Sequence, residues 1–95
     1  MPTITVLVVE DEKIISKALE KRLKGLGYAV AGVASSGVEA VEKAVELRPD
    51  LILMDINLGS GIDGIEAAGL IRRRMNVPVV FLTAHSDDAT LQRAK

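Results

Sequence analysis

Short, nearly continuous runs of apolar residues recur at four places along the chain. They are rich in Val, Ile and Leu and do not alternate with polar positions. Runs of this kind are typical of strands in a parallel sheet that is covered on both faces. We therefore predict four strands, over residues 4–9, 29–34, 51–54 and 79–82.

Between these runs, apolar residues recur at steps of three and four, which is the period of a helix with one buried face. The three predicted stripes are Ile15, Ala18, Leu19, Leu23 and Leu26; Val38, Val41, Ala44 and Val45; and Ala67, Leu70, Ile71 and Met75. We expect each stripe to face the core of the domain.

Polar residues mark where the helices begin. Ser36 with Glu39, and Asp63 with Glu66, have the spacing of a capping box, in which the first side chain accepts from a helix amide and the fourth reaches back. Ser86, followed by two aspartates, predicts the start of a fourth helix. Glycine and proline predict the helix ends, at residues 25–27, 48–49 and 76–78.

The alternation of strands and helices predicts an α/β fold. Parallel strands joined by right-handed helical crossovers form a doubly wound sheet with helices on both faces, in three layers α/β/α. Ligands of such sheets bind beyond the carboxyl ends of the strands. Functional side chains are therefore expected at those ends.

Composition narrows the function further. The 95 residues, 48% hydrophobic and 26% charged, suit one domain with a single core. A net charge of -1 and only two aromatic residues argue against direct nucleic-acid binding. The sequence has no cysteine, no secretory signal pattern and no apolar run long enough to cross a membrane. We expect a cytoplasmic domain without membrane contact.

Polar side chains follow three of the predicted strands. Glu10, Asp11 and Glu12 follow the first strand, Asp55 the third and Thr83 the fourth. If these strands are neighbours, their carboxylates converge, and two carboxylates about 5 Å apart repel by roughly 3 kcal/mol at an effective dielectric near 20. Either a proton or a cation must then be held there. Oxygen ligands without His or Cys favour Mg²⁺, which leaves positions open for a phosphoryl oxygen.

Four segments around these strand ends together resemble the receiver domain of two-component response regulators. They are Val8-Val9-Glu10-Asp11-Glu12, Leu51-Ile52-Leu53-Met54-Asp55-Ile56-Asn57-Leu58, Asp63-Gly64 and Phe81-Leu82-Thr83-Ala84. The resemblance covers nearly the whole chain in matching order and spacing. It implies a CheY-like, flavodoxin-like fold with strand order 2-1-3-4-5 and a phosphoacceptor role in a two-component phosphorelay.

The resemblance also implies a role for each site residue. Asp55 matches the phosphoacceptor, Asp11 the carboxylate that binds Mg²⁺ directly, and Glu10 its partner in the acidic pair. The backbone carbonyl of Asn57 matches a further metal ligand beside Asp55, and Thr83 matches the switch hydroxyl that bonds the phosphoryl group. The implied partners are a sensor histidine kinase or phosphotransfer protein, and a downstream effector domain or protein. Such a domain is a regulator and not an enzyme, apart from self-phosphorylation from small donors and autodephosphorylation.

Three features depart from the pattern of the family. The acidic pair is Glu-Asp and not the commoner Asp-Asp, and the loop over residues 58–62 has two glycines and no proline, so we expect it to be mobile. A receiver continues through a fifth strand with a lysine and a fifth helix, and this sequence ends at Lys95 before them. We therefore expect residues 1–95 to be one receiver domain, incomplete at its C-terminus, whose uncovered fourth strand favours homodimers.

Two other functions stay open. One is a Mg²⁺-dependent phosphatase or phosphotransferase with an aspartyl nucleophile, although such sites commonly have a second acid two residues on, where this chain has Asn57. The other is a receiver-like interaction module in which Asp55 is never phosphorylated. His85 and the arginines at 72–74 are interpreted as solvent-facing residues.

Overall fold

The computed structural model describes residues 3–59 and 61–82. Its elements are β1 (Thr5–Val9), α1 (Lys13–Gly25), β2 (Ala29–Ala34), α2 (Gly37–Leu47), β3 (Leu51–Asp55), α3 (Gly64–Arg74) and β4 (Val79–Leu82). The predicted order of these elements is confirmed, and each strand limit agrees with the prediction to within one residue. Thr83, His85 and the helix predicted to start near Ser86 lie outside the described residues.

The four strands form one parallel sheet in the order β2-β1-β3-β4, which confirms the predicted order as far as the fourth strand. In the pairing of β1 with β3, Val9 lies opposite Met54. The residues that come next on the two strands, Glu10 and Asp55, are therefore brought to the same level at the carboxyl edge of the sheet.

Two clusters of buried side chains cover the two faces of the sheet. One joins the strand residues Leu7 and Ile52 to Ala40 of α2 and to Ala67 and Ile71 of α3. The other joins the alternate strand residues, represented by Val6 and Val8, to Leu23 of α1. Helices thus lie on both faces, as the continuous apolar runs predict, and the flavodoxin-like α/β fold is confirmed.

The predicted stripe of α2 was wrong in part. Val38 and Val45 are 60% and 40% exposed. Ala44, which the stripe included, and Ala40, which it omitted, are fully buried. In α3, Leu70 is likewise 41% exposed. These two helices pack side by side on the sheet, so small residues occupy the closest contacts and the larger aliphatic side chains lie at the outer margin.

The stripe of α1 was also wrong at two positions. Leu23 is buried, and Ile15 and Leu19 are partly buried, as predicted. Ala18 is exposed, and Leu26 is 67% exposed because it follows the last residue of the helix. The small buried residue on this helix is Ser16, whose hydroxyl donates to the carbonyl of Lys13 at 3.0 Å.

The predicted helix starts are confirmed at Ser36 and Asp63. The Ser36 hydroxyl accepts from the amide of Glu39 at 3.1 Å, and the Asp63 carboxylate accepts from the amide of Glu66 at 2.9 Å. The return bond of the first box is displaced by one residue, because the Glu39 carboxylate accepts from the amide of Ser35 at 2.6 Å. Among the described residues, the helices are too short or too polar to cross a membrane.

Candidate functional site

Three carboxylates meet at the carboxyl edge of the sheet. Glu10 follows β1, Asp55 is the last residue of β3, and Asp11 precedes α1. One carboxylate oxygen from each residue lies within 4.8 Å of the others. Glu10 and Asp55 are 2% and 4% exposed, whereas Asp11 is open to solvent. The structure therefore brings together three of the predicted site residues, two of them buried and one open to solvent.

The Glu10 carboxylate is buried, and only one of its two oxygens accepts a hydrogen bond from the described residues. Its Oε1 accepts from the amide of Glu12 at 3.2 Å, but its Oε2 is buried without a hydrogen-bond partner among the described residues. Burial raises the pKa of the Glu10 carboxyl from 4.5 to about 7, the Glu12 amide opposes this, and the nearby Asp55 carboxylate adds to it. A charged Glu10 therefore needs a compensating partner.

The Asp55 carboxylate is held by the backbone that follows it. Its Oδ1 accepts from the amide of Asn57 at 3.2 Å, so Asn57 lies directly beside the predicted phosphoacceptor. The position of Asn57 agrees with the role predicted for its carbonyl, which stays a prediction. The predicted switch residue, Thr83, follows β4 and lies outside the described residues.

The chemistry of these donors fits a hard divalent cation. Among the described residues, no lysine or arginine forms an ion pair with Glu10, Asp11 or Asp55, since the ion pair of this part of the chain joins Lys43 to Glu39. The Oε2 of Glu10 has no hydrogen-bond partner among the described residues, so its lone pairs are not engaged by another protein group. Clustered carboxylate oxygens without His or Cys are the ligand set that Mg²⁺ prefers.

The loop after Asp55 packs against the site instead of standing clear of it. Leu58 is 4% exposed and belongs to the core. Gly59 has a φ of +75°, and a Cβ atom there would lie 3.4 Å from Oδ2 of Asp11. The burial of Leu58 anchors the start of this loop in the core, and Gly59 follows it close to the Asp11 carboxylate. The predicted mobility of this loop stays a prediction.

Sequence reasoning named the segment Asp63-Gly64 but missed the tight packing of Gly64, and it assigned no role to Gly37. Each is the first residue of a helix, directly after a capping side chain. Both are buried, and each lies so close to the neighbouring backbone that a side chain has no room. The signal was present in the sequence as two cap-glycine pairs, Ser36-Gly37 and Asp63-Gly64, because glycine is a poor helix former at an ordinary first-turn position.

Known proteins are similar to this chain in both sequence and fold. The family model of the response regulator receiver domain matches residues 6–95. The chain belongs to this family. This match confirms the family that the strand-end motifs resemble, in which receiver domains are the signalling modules of response regulators.

Curated and solved relatives of this receiver domain agree with that assignment. The phyllosphere-induced regulator PhyR of Methylorubrum extorquens is 43% identical over 83 residues, which are 86% of this chain and 31% of that regulator. The receiver domain therefore spans about a third of the length of this curated relative. The signal receiver domain of a modulated diguanylate cyclase from Desulfovibrio desulfuricans superposes with a TM-score of 0.82 at 43% identity, over 96% of this chain and 73% of that one.

One further solved relative contains a bound protein. It is the anti-anti-sigma factor PhyR of Bartonella quintana complexed with the anti-sigma factor NepR, with a TM-score of 0.77 and 35% identity. The match covers 83% of this chain and 32% of that one. A relative of this receiver domain thus operates within a longer protein that binds a protein partner.

Proposed function

We propose that this receiver domain stores a signal as an acyl phosphate on Asp55. The observation that carries the proposal is the meeting of Glu10, Asp11 and Asp55 within 4.8 Å, with one buried oxygen of Glu10 left without a partner. Membership of the receiver family supports it independently. In this proposal, the donor is a phosphohistidine on a sensor histidine kinase or a phosphotransfer protein.

In this proposal, the three acidic residues have different roles in binding the metal. Asp11 is open to solvent and would bind Mg²⁺ together with Asp55. The buried Glu10 would add a third negative charge next to the ion. The backbone carbonyl of Asn57 would add a neutral ligand. When bound, Mg²⁺ offsets the charge of the carboxylates and of the phosphoryl oxygens that approach them.

The transfer itself requires one nucleophilic oxygen of Asp55. This oxygen forms a bond to phosphorus while the bond between phosphorus and the donor imidazole nitrogen breaks, and the nitrogen keeps the electron pair. The amide of Asn57 fixes the Asp55 carboxylate through Oδ1 during this step. Because Asp55 is 4% exposed, the donor must reach it from the carboxyl edge of the sheet, where Asp11 is open.

The acyl phosphate would change what a partner can recognise. It replaces one carboxylate with a group that has more negative charge and more acceptor oxygens, and this change biases the loops that surround it. Thr83 would bond a phosphoryl oxygen, as its place after β4 in the sequence suggests. The complex of PhyR with NepR supports a protein as the reader. We propose that residues 1–95 serve this purpose in the cytoplasm, within a longer regulator.

Intact-mass measurement after incubation with Mg²⁺ and acetyl phosphate tests the proposal. We expect the labile gain of one phosphoryl group, which Asp55→Asn abolishes. The matched control is Asp50→Asn, the same substitution at a carboxylate that accepts from Thr5 at the opposite end of the strands. Consumption of many donor molecules without a stable gain in mass would favour a phosphotransferase, and no gain despite Mg²⁺ binding would favour a phosphorylation-independent interaction module.

A further inference from the structure

The first residue of α3 lies against the backbone of the proposed phosphoacceptor. The amide of Gly64 donates to the carbonyl of Ile56 at 2.9 Å, which joins the two ends of the loop after β3. A Cβ atom on Gly64 would overlap the carbonyl oxygen of Asp55 and would lie 2.9 Å from its carbonyl carbon. It would also lie 3.0 Å from the Cα atom of Ile56. The obstacles are backbone atoms, which cannot rotate away as a side chain does.

The same loop makes a second close contact, with the start of α2. A Cβ atom on Gly37 would collide with Cγ1 of Ile62 and would lie 2.9 Å from the Ile62 carbonyl oxygen. Ile62 is half-buried and packs against the core cluster on this face of the sheet. The loop is therefore held at Gly64 against its own strand and at Ile62 against the neighbouring helix.

We propose that Gly64 is a positioning residue for the Asp55 carboxylate, and that the contact of Ile62 with Gly37 gives the same loop its second support. This inference rests on the proposed function, because it assigns these residues to phosphoryl acceptance and metal binding. It adds to the acidic residues of the site the close contacts that hold the backbone of Asp55 in place.

Movement of the Asp55 carbonyl changes the direction of its side chain. The carbonyl and the carboxylate share one Cα atom, so a peptide displaced by a side chain at residue 64 rotates the carboxylate away from Glu10 and Asp11. The same displacement lengthens the bond between the Asn57 amide and Oδ1 of Asp55, which is 3.2 Å. A misplacement of about 1 Å at a reacting group can lower the rate by about a hundredfold.

Gly69 provides a matched control within the same helix. A Cβ atom at Gly69 would meet nothing within 4 Å, so Gly69→Ala adds the same methyl group to α3 without a collision. The Mg²⁺ dissociation constant is measured by isothermal titration calorimetry, and the initial rate of phosphorylation by acetyl phosphate is measured by intact mass. Both are corrected for the folded fraction from circular dichroism.

We expect Gly64→Ala to weaken Mg²⁺ binding at least tenfold and to slow phosphorylation by about ten- to a hundredfold at saturating Mg²⁺. Gly69→Ala should leave both values unchanged. If Gly64→Ala lowers the melting temperature but binds Mg²⁺ and accepts phosphate as Gly69→Ala does, Gly64 supports only the packing of α3 and the inference is wrong.

A second variant tests the contact between Ile62 and Gly37. It removes side-chain atoms and therefore introduces no steric overlap. Ile62→Ala removes the contact with Gly37, and we expect it to weaken Mg²⁺ binding at least threefold, while Ile65→Ala, at a 46% exposed position of α3, should not. If Gly64→Ala does not fold, the comparison of Ile62→Ala with Ile65→Ala tests the inference instead. An unchanged Mg²⁺ affinity in Ile62→Ala then overturns it. If the unsubstituted protein itself takes up no phosphoryl group, the proposed function fails, which is a different result.

Discussion

Glu10 and Asp55 end neighbouring parallel strands side by side, with carboxylate oxygens within 4.8 Å of each other and with both side chains almost fully buried. Such a pair is costly, because Coulomb repulsion is poorly screened away from water and each buried charge has lost its hydration. The buried pair therefore lowers the stability of the folded state, and binding of a proton or a cation reduces this loss.

The first prediction concerns the pH dependence of stability without metal. Glu10 has a raised pKa of about 7 in the folded state and an ordinary value of 4.5, so between these values the folded state binds more protons than the unfolded state. Glu10 therefore stabilises the fold fully below pH 4.5, and this contribution is lost as the pH rises towards 7. Urea unfolding in EDTA at several pH values measures it, at about 1.4 kcal/mol for each unit by which the two pKa values differ.

Glu10→Gln is the control for this experiment. An amide does not titrate, so the variant should lack the loss of stability between pH 4.5 and 7 that the unsubstituted protein shows. Equal pH profiles for the two proteins would mean that Glu10 is not buried beside Asp55 as the structure has it.

The second prediction concerns the charge of Asp55. In EDTA at pH 8, where Glu10 is ionised, Asp55→Asn should raise the free energy of unfolding by about 1–3 kcal/mol, because it removes a carboxylate next to Glu10. For a domain of this size, each 1 kcal/mol raises the melting temperature by roughly 4–8 °C. Asp50→Asn, which loses a carboxylate that accepts from Thr5, should not stabilise the protein.

The third prediction is that Mg²⁺ stabilises the unmodified protein more strongly as the pH rises. The ion must compete with the proton on Glu10, so its affinity should increase through pH 7 and level off above it. Thermal melts at fixed Mg²⁺ concentration between pH 6 and 8 measure the effect by mass action. A shift in melting temperature that is the same at every pH would contradict a role for Glu10 in the site.

The fourth prediction separates two neighbouring residues of α3. Ile71 is fully buried in the cluster between the helices and the sheet, whereas Leu70 is 41% exposed. Ile71→Ala should therefore cost about 2–5 kcal/mol of unfolding free energy, and Leu70→Ala less than about 1 kcal/mol. Chemical denaturation of both variants checks this, and similar losses would show that the apolar stripe read from the sequence was correct after all.

The order of the elements was determined by local sequence. Continuous apolar runs and three- to four-residue periods depend on neighbours along the chain, so the strands of residues 29–34 and 79–82 were predicted without error. Cap residues act within one turn of a helix, and Ser36 and Asp63 were therefore also identifiable. The acidic residues could be placed at strand ends for the same reason.

Which side chains become buried between the helices and the sheet could not be predicted from local sequence. The apolar period does not decide between a stripe through Val38, Val41 and Val45 and one through Gly37, Ala40 and Ala44, because both have steps of three and four residues. Only packing against α3 and the sheet selects the stripe with the smaller residues. The lack of space for a side chain at Gly37 and Gly64 likewise depends on residues that are not their neighbours in sequence. At Gly37 the obstacle is Ile62, and at Gly64 it is the backbone of Asp55 and Ile56.

For the site, the sequence by itself determined which acids follow which strands. Only the tertiary structure decided that β1 pairs with β3 with Val9 opposite Met54, and this register turns two separate strand ends into one buried pair at Glu10 and Asp55. The raised pKa of Glu10 follows mainly from that burial, which its local sequence does not reveal, because desolvation depends on what surrounds a group in space.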